Sequence, residues 1–337
     1  MKIIVIGTSA GGIDALSTIC EKLPSDFAIP VFIVWHISPE SMNYFPQMLA
    51  KKTKLRVQSA IDNQAIKPGY IYTAPPNNHV LIEDSKMRVV YGPKENRFRP
   101  AIDPLFRSAA YAFGSDSIGI LLSGMLNDGT SGLWSIKDRG GVTIVQDPKE
   151  AQFPDMPLNA LHNVSIDYKI SIEKMGNLLV KLAADHTVNN NSNDRPEKMK
   201  IEIKMVSDGN VLDTDVKQIG ELSEFTCPEC HGSLWQIKEG NIIRFRCRTG
   251  HAYSASALLE ELSVVIEKRI WSVIKGLEEH TSLVKYLTEH LHSAEEKQGL
   301  NLYLRQAEQS QRYANLLRRF LTEDIIDKLE IDSLTNN

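Results

Sequence analysis

Cysteine is scarce. The 337 residues contain four, too few for the disulfide-dense scaffold of a small secreted domain. Three of the four fall between Cys227 and Cys247, which points to a metal site rather than a disulfide framework. Cys20 stands alone and is expected in a helix core. The chain also lacks a run of about 18 uncharged apolar residues, which argues against a membrane-spanning helix. Strong charge of either sign is missing too. Lys and Arg number 38 against 42 Asp and Glu, a net charge of −4. Nothing in that balance draws the chain to nucleic acid or to an anionic membrane surface. The opening segment MKIIVIG runs straight into Gly and Ser, without the longer apolar region and cleavage site of a signal peptide. The expected location is the cytoplasm. Hydrophobic residues at 42% and charged residues at 24% suit a globular protein. The length has room for about two domains.

Strands alternate with helices through the first half. The apolar runs IIVIG (3–7), VFIVW (31–35), IGILLSG (118–124) and GVTIVQD (141–147) read as strands buried on both faces. The segments IDALSTICEKL, FPQMLAKKT, PLFRSAAYAF and GLWSIKDRG read as helices. GYIYTAP, HVLIE and MRVVYG read as shorter strands, the last two as a hairpin or edge pair. This alternation predicts an α/β fold, a doubly wound and mostly parallel sheet. Over 186–199 the composition shifts to Asn, Ser, Asp and Pro, which reads as a linker. Near the C-terminus, Leu259, Leu262, Ile266, Ile270, Val273, Leu277, Val284, Leu287 and Leu291 follow near-heptad spacing. Gly299 then falls where a helix cap is needed. Tyr303, Ala307, Ala314, Leu317 and Leu321 repeat the pattern. Two such helices predict a helical hairpin or coiled coil.

Three polar residues stand just past three buried strands: Ser9, His36 and Asp128. In open parallel sheets the crevice beyond the strands' carboxyl ends is where ligands bind. A nucleophilic hydroxyl needs a base, and the base needs an orienting acid. These residue types supply those roles. The strand-to-helix turn Gly-Thr-Ser-Ala-Gly-Gly also has the small residues of a nucleophile elbow, with free amides for an oxyanion. A Gly-rich turn of this kind equally suits a phosphate or dinucleotide, although Ser at position 9 breaks the GxGxxG pattern. Taken alone, His36 suits a hydrogen-bonded core histidine, and Asp128 suits an N-cap for the helix after it.

Five blocks together carry a family resemblance. GTSAGG (7–12), WH (35–36), APPNNH (74–79), NRFRPAIDPLFRS (96–108) and LLSGMLNDGTSGL (121–133) resemble, in order and separation, the catalytic domain of the chemotaxis protein-glutamate methylesterases, CheB. The resemblance covers about residues 1–185. It implies hydrolysis of glutamate methyl esters on chemoreceptors, and deamidation of receptor glutamines. It places the family's Ser, His and Asp on Ser9, His36 and Asp128, with oxyanion amides near Ala10 and Met125. No cofactor for catalysis is implied. Arg97 and Arg99 stand equally as guides for an acidic receptor helix and as partners of Asp103 or nearby carboxylates. Family members commonly carry Gly where this chain has Leu126, so a narrower cleft or a shifted Asp128 is expected. Trp35 replaces a residue that is more usually glutamine, which is expected to alter substrate contact. The chemotaxis enzymes usually carry an N-terminal phosphoacceptor domain. This chain starts at the first catalytic strand, so a receiver-less form is expected.

Cys227-x2-Cys230 is followed, sixteen residues on, by Cys247-x3-His251. These ligands suit a closed tetrahedral zinc site. LWQI and IIRFRC between the pairs read as two strands, with Glu239-Gly240-Asn241 at the turn. So small a core needs metal to fold, so the expected Zn2+ is structural. His231 is a spare ligand, and reactive thiols are the other reading. FTCPEC and RFRCRTGHAYS (244–254) are similar to a segment found in receiver-less methylesterase-like proteins, between the catalytic domain and terminal helices. The expected layout is a catalytic domain over 1–185, a linker over 186–220, a zinc-ribbon-like module over 221–255 and a helical hairpin or coiled coil over 256–325. Two functions follow. One is a methylesterase acting on a methylated chemoreceptor or related signalling protein. The other is a non-catalytic signalling adaptor that binds a partner, or itself, through the helical tail.

Overall fold

The computed structural model describes residues 1–185, 195–207, 213–290 and 300–322. A first compact unit runs from Met1 to Leu259 and a second from Glu260 onward. Seven parallel strands make the central sheet of the first unit: β1 (Ile3–Thr8), β2 (Val31–Trp35), β3 (Arg56–Ser59), β4 (Tyr70–Thr73), β7 (Ser117–Leu121), β8 (Val142–Gln146) and β9 (Tyr168–Ile170). Their order is β3-β4-β2-β1-β7-β8-β9. Side chains alternate between faces with period two, and both faces are apolar. Ile4, Ile6, Ile33 and Ile120 pack under α1 (Gly12–Glu21), α2 (Phe45–Ala50) and α6 (Ile172–Ala184). Ile3, Val5, Phe32 and Leu121 pack under α3 (Ile102–Phe113), α4 (Thr130–Asp138) and α5 (Asp155–Asn163). The sheet is therefore doubly wound. Cys20 is buried on α1, as its helical context predicts. HVLIE and MRVVYG form an antiparallel hairpin, β5 (His79–Glu83) and β6 (Lys86–Val90), outside the main sheet.

The segment read as a linker contains two helices. Residues 186–194 and 208–212 lie outside the described residues, but α7 (Glu197–Ser207) and α8 (Asp213–Ile219) lie between and after them. The polar run ahead of α7 hides its amphipathic spacing. Met199, Ile201, Met205 and Val206 are buried on it, and Met199 joins the core over one sheet face. Beyond α8, four antiparallel strands form a second sheet: β10 (Glu221–Thr226), β11 (Ser233–Glu239), β12 (Ile242–Cys247) and β13 (Ala252–Ser254). Gly240, at φ 57, makes the tight turn between β11 and β12.

The second unit holds most of α9 (Ala255–His290) and all of α10 (Leu300–Thr322). They pair antiparallel. Thr281 Oγ1 donates to Ala307 O at 3.2 Å, and Arg318 reaches back to Glu278 at 2.5 Å. Leu291 and Gly299 lie outside the described residues. No helix among the described residues is long and apolar enough to cross a membrane.

Candidate active site

The sheet order reverses at β1. Chain connections run to β2 on one side, and β7 is its neighbour on the other, which marks the switch point where α/β sheets open a crevice. Ser9 follows β1 at this point. Its N–H donates to Ser123 O beyond β7, at 3.0 Å. Gly11, at φ 72, then turns the chain into α1 in a left-handed conformation that favours glycine. Space behind the serine is tight. A Cβ on Gly124 would lie 2.8 Å from Ser9 Cβ and closer still to Met156 Sδ.

The register of β1 and β2 sets the next residue. Thr8 pairs with Trp35, and His36 N–H donates to Thr8 O at 3.2 Å. His36 thus stands beside Ser9, one step past the same pairing. Its ring is nearly enclosed, with 3% side-chain exposure. Phe98 lies flat on it, centroids 3.7 Å apart and planes 8° apart. Nε2 of His36 lies 2.8 Å from Asp128 Oδ2. Nδ1 is buried and has no hydrogen-bond partner. Among the described residues Ser9 Oγ makes no hydrogen bond. Trp35 packs against Phe45 of α2, rings 5.0 Å apart.

Asp128 is fully enclosed and richly bonded. Its Oδ2 accepts from Ile102 N–H at 2.6 Å as well as from His36, and its Oδ1 accepts from Asn96 Nδ2 at 2.9 Å. It therefore caps the N-terminus of α3, not of the helix that follows it. Burial pushes the carboxyl up, but the His36 hydrogen bond and charge, with Ile102 and Asn96, outweigh that and hold it below the ordinary aspartate range. An ionised acceptor fixes the proton of neutral His36 on Nε2. Nδ1 then presents a lone pair, which is what a general base needs. Asp103, next to it, is pushed up to about 8 by burial and by the Asp128 charge. His79 is a different kind of histidine. Its Nδ1 accepts from Ala101 N–H and its Nε2 donates to Pro93 O, so both nitrogens are used in holding loops.

Asn96 and Phe98 lie within a block quoted for its resemblance, yet their roles were not legible in it. Both come from a loop whose position only the tertiary structure sets. Arg99 donates to Asn77 Oδ1 and Gly92 O and lies over the Tyr91 ring, 3.6 Å from its centroid. Asp103 accepts from Asn96 and Gly132 N–H instead.

Leu126 holds φ 64. An L-residue there carries a steric penalty of roughly 1–2 kcal/mol that glycine escapes. Leu126→Gly is therefore expected to raise stability by up to about 1 kcal/mol once glycine's greater unfolded-state freedom is subtracted. A higher urea midpoint at unchanged slope is the reading that bears this out.

The structure also brings Cys227, Cys230, Cys247 and His251 together, with all four ligand atoms within 4.8 Å of one another. His231 is not in this group. Cys227 Sγ and Cys247 Sγ lie 3.7 and 3.6 Å from His251 Nδ1, and Cys230 Sγ lies 3.5 Å from Cys247 Sγ. The edges of a tetrahedron with metal–sulfur bonds of about 2.3 Å are about 3.8 Å, and shorter where nitrogen replaces sulfur. The donor set and its spacing fit zinc.

The family model described as CheB methylesterase matches residues 4–179 of this chain. The chain belongs to the CheB methylesterase family. A relative from Leptospira interrogans is 42% identical over 180 residues, 53% of this chain and 93% of its own length. A Geobacter metallireducens relative, named protein-glutamate methylesterase/protein-glutamine glutaminase 3, is 35% identical over 185 residues. That match covers 54% of this chain and 52% of the relative, so the chain spans about half that protein's length. Among solved structures, the CheB methylesterase catalytic domain of Thermotoga maritima aligns with a TM-score of 0.52 at 31% identity, over 54% of this chain and 98% of its own. The matched CheB region holds Ser9, His36 and Asp128. The Cys3His cluster lies beyond it.

Proposed function

We propose that this chain is a protein-glutamate methylesterase: a carboxylic ester hydrolase that removes methyl groups from glutamates of a chemoreceptor or related signalling protein, through Ser9, His36 and Asp128. One observation carries the reading. A buried imidazole, set next to Ser9 by the β1–β2 register, is tied to an ionised carboxylate through Nε2 and leaves Nδ1 without a hydrogen-bond partner. His36 Nδ1 takes the Ser9 proton as Oγ attacks the ester carbonyl, and Asp128 stabilises the imidazolium that forms. The N–H groups of Ser9 and Gly12 are already donated, to Ser123 O and Ser9 O. Amides near Ala10 and Met125 hold the oxyanion. The imidazolium protonates the departing methoxide, and methanol leaves. Water, deprotonated by His36, then cleaves the acyl-enzyme and restores Ser9, leaving glutamate. The same steps on glutamine would release ammonia.

The relatives' names support this substrate class. We place the reaction in the cytoplasm, on a methylated protein partner, with no nucleic acid and no membrane insertion. Exposed Trp271, Tyr286, Leu302 and Phe320 on α9 and α10 support association of the hairpin with a partner or a second copy. We assign Cys227, Cys230, Cys247 and His251 to a structural Zn2+. The catalytic site needs no metal for the steps above. The test is methanol release from a methyl-esterified receptor fragment, paired with a fluorophosphonate probe and peptide mass analysis. Methanol release with the label on Ser9 is expected. A label elsewhere, or no methanol, overturns the assignment.

A further inference from the structure

The Cys3His cluster is hydrogen-bonded into the shell of the candidate active site. His251 is followed at once by β13, and β13 pairs with the loop that carries Asn96. Ala252 N–H donates to Lys94 O at 3.2 Å, and Asn96 N–H donates to Ala252 O at 2.8 Å. Two residues on, Ser254 N–H donates to Asn96 Oδ1 at 2.8 Å. That bond orients the amide, so Asn96 Nδ2 points at Asp128 Oδ1 and Asp103 Oδ2, each 2.9 Å away. Ser254 Oγ donates to Asn127 Oδ1, at 2.6 Å, beside Asp128 in sequence. Asn96 sits at φ 49, in a tight turn closed by the Glu95–Phe98 backbone pair.

The other side of the cluster is tied to the same loop. Glu229 Oε2 lies 3.5 Å from His251 Nε2, the ring nitrogen that faces away from the cysteines. Lys94 holds the other oxygen of Glu229 at 3.0 Å. A carboxylate on the far nitrogen of a ligating histidine is how proteins orient that ligand. Arg246, one residue before Cys247, donates to Glu95 at 2.5 Å. Residues 94, 95 and 96 are thus each gripped by the module that holds the cluster.

We propose that a zinc ion on Cys227, Cys230, Cys247 and His251 is a positioning device for the hydrolytic site, acting through His251–Ser254 and Asn96 on Asp128. The proposal rests on the triad reading above. With metal bound, β13 is held in place and the Asn96 amide fixes the carboxylate that fixes His36. Without metal, the two cysteine turns lose their common anchor. Asn96 then loses the bond that orients it. Asn96 is a positioning residue, since it acts on substrate only through Asp128 and His36.

The test uses the full chain loaded with Zn2+, the same protein stripped by a chelator, and Asn96→Gly, which keeps the backbone at φ 49 allowed. Metal per chain, kcat and KM for methanol release, and the low-field proton resonance of the His36–Asp128 hydrogen bond are measured. We expect one Zn2+ per loaded chain. Stripping should lower kcat about 10- to 100-fold, the range for lost outer-shell partners, with KM little changed. The low-field resonance should vanish with it, and both should return when Zn2+ is added. Loaded Asn96→Gly should keep its metal and show the same kcat loss, and stripping it should cost little more. That variant decides the matter if the stripped chain unfolds. Wild-type kcat in loaded Asn96→Gly, losses that multiply, absence of bound Zn2+, or an unchanged resonance after stripping overturns the proposal. If the loaded wild type is active but Ser9→Ala is equally so, the triad reading fails first and takes this one with it.

Discussion

Ser9→Ala is expected to lower kcat by about a millionfold, the scale of removing the nucleophile from a serine triad, while the protein stays folded. Both halves follow from the geometry. The alanine keeps the Cβ that fits beside Gly124, and the backbone bond from residue 9 to Ser123 O is untouched. Ser9 Oγ makes no hydrogen bond among the described residues, so no buried partner is orphaned. What is lost is the one oxygen that can form the acyl-enzyme. Asp128→Asn tests the second step of the same logic, and a loss of about 10^4-fold is expected. Asp128 accepts from Ile102 N–H and from His36 through a single oxygen, Oδ2. An asparagine that keeps its oxygen toward Ile102 loses the charge that favours imidazolium. One that turns its amide toward His36 donates to Nε2 and moves the ring proton to Nδ1, where it blocks the base. Steady-state methanol release with circular dichroism checks both variants. Activity surviving in Ser9→Ala would rule out the covalent route. An Asp128→Asn protein near full rate would rule out the tautomer argument.

The residues of this candidate site were legible because Ser9 and His36 directly follow buried strands and Asp128 stands in the loop after a third. Ser9, His36 and Asp128 could be placed on one rim without knowing the strand order. The details of that rim were not legible. Which nitrogen of His36 meets Asp128 depends on ring orientation, and the plane of the ring is set by Phe98, sixty-two residues away in sequence. Asp128 could be read as a cap for the next helix, but it caps α3, which precedes it. Leu126 stood out as a departure from a glycine position, and its φ of 64 gives the physical reason glycine suits the place. Beyond the sheet, composition misled in one respect. The polar run before α7 disguised a helix whose Glu202 lies buried between three arginines. A charged residue among Met199, Ile201 and Met205 reads as a solvated face until its partners, from β12 and α3, are in place.

Arg246→Ala is expected to destabilise the first unit by about 3–5 kcal/mol, the cost of removing one partner from a buried ion pair. Three carboxylates and three guanidinium groups meet out of water: Glu95, Glu202 and Glu239 with Arg107, Arg244 and Arg246. Arg246 bonds both Glu95, at 2.5 Å, and Glu202, at 3.0 Å, and also Gly250 O at 2.9 Å. Truncating it leaves two enclosed carboxylates short of countercharge and one carbonyl without its donor. Alanine cannot refill the space. An exposed pair such as Lys200–Glu197 sets the contrast, since breaking it should cost about 0.3–0.5 kcal/mol. Acid sharpens the test. Burial pushes Glu95 up, but Arg107 and Arg246 outweigh it and hold the carboxyl at about 2, against an ordinary 4.5. A depressed folded value contributes stability that is fully present above 4.5 and is lost as pH falls through 2. The wild type should therefore lose stability progressively across that window. Arg246→Ala removes one of the two arginines holding Glu95 down, so its acid unfolding should begin at a higher pH. Urea titrations from pH 7 to pH 2, with bound zinc followed in parallel, measure both effects. A variant as stable as wild type at pH 7, with the same acid midpoint, would mean that the buried charges contribute nothing to holding the cysteine-bearing sheet against the α/β core.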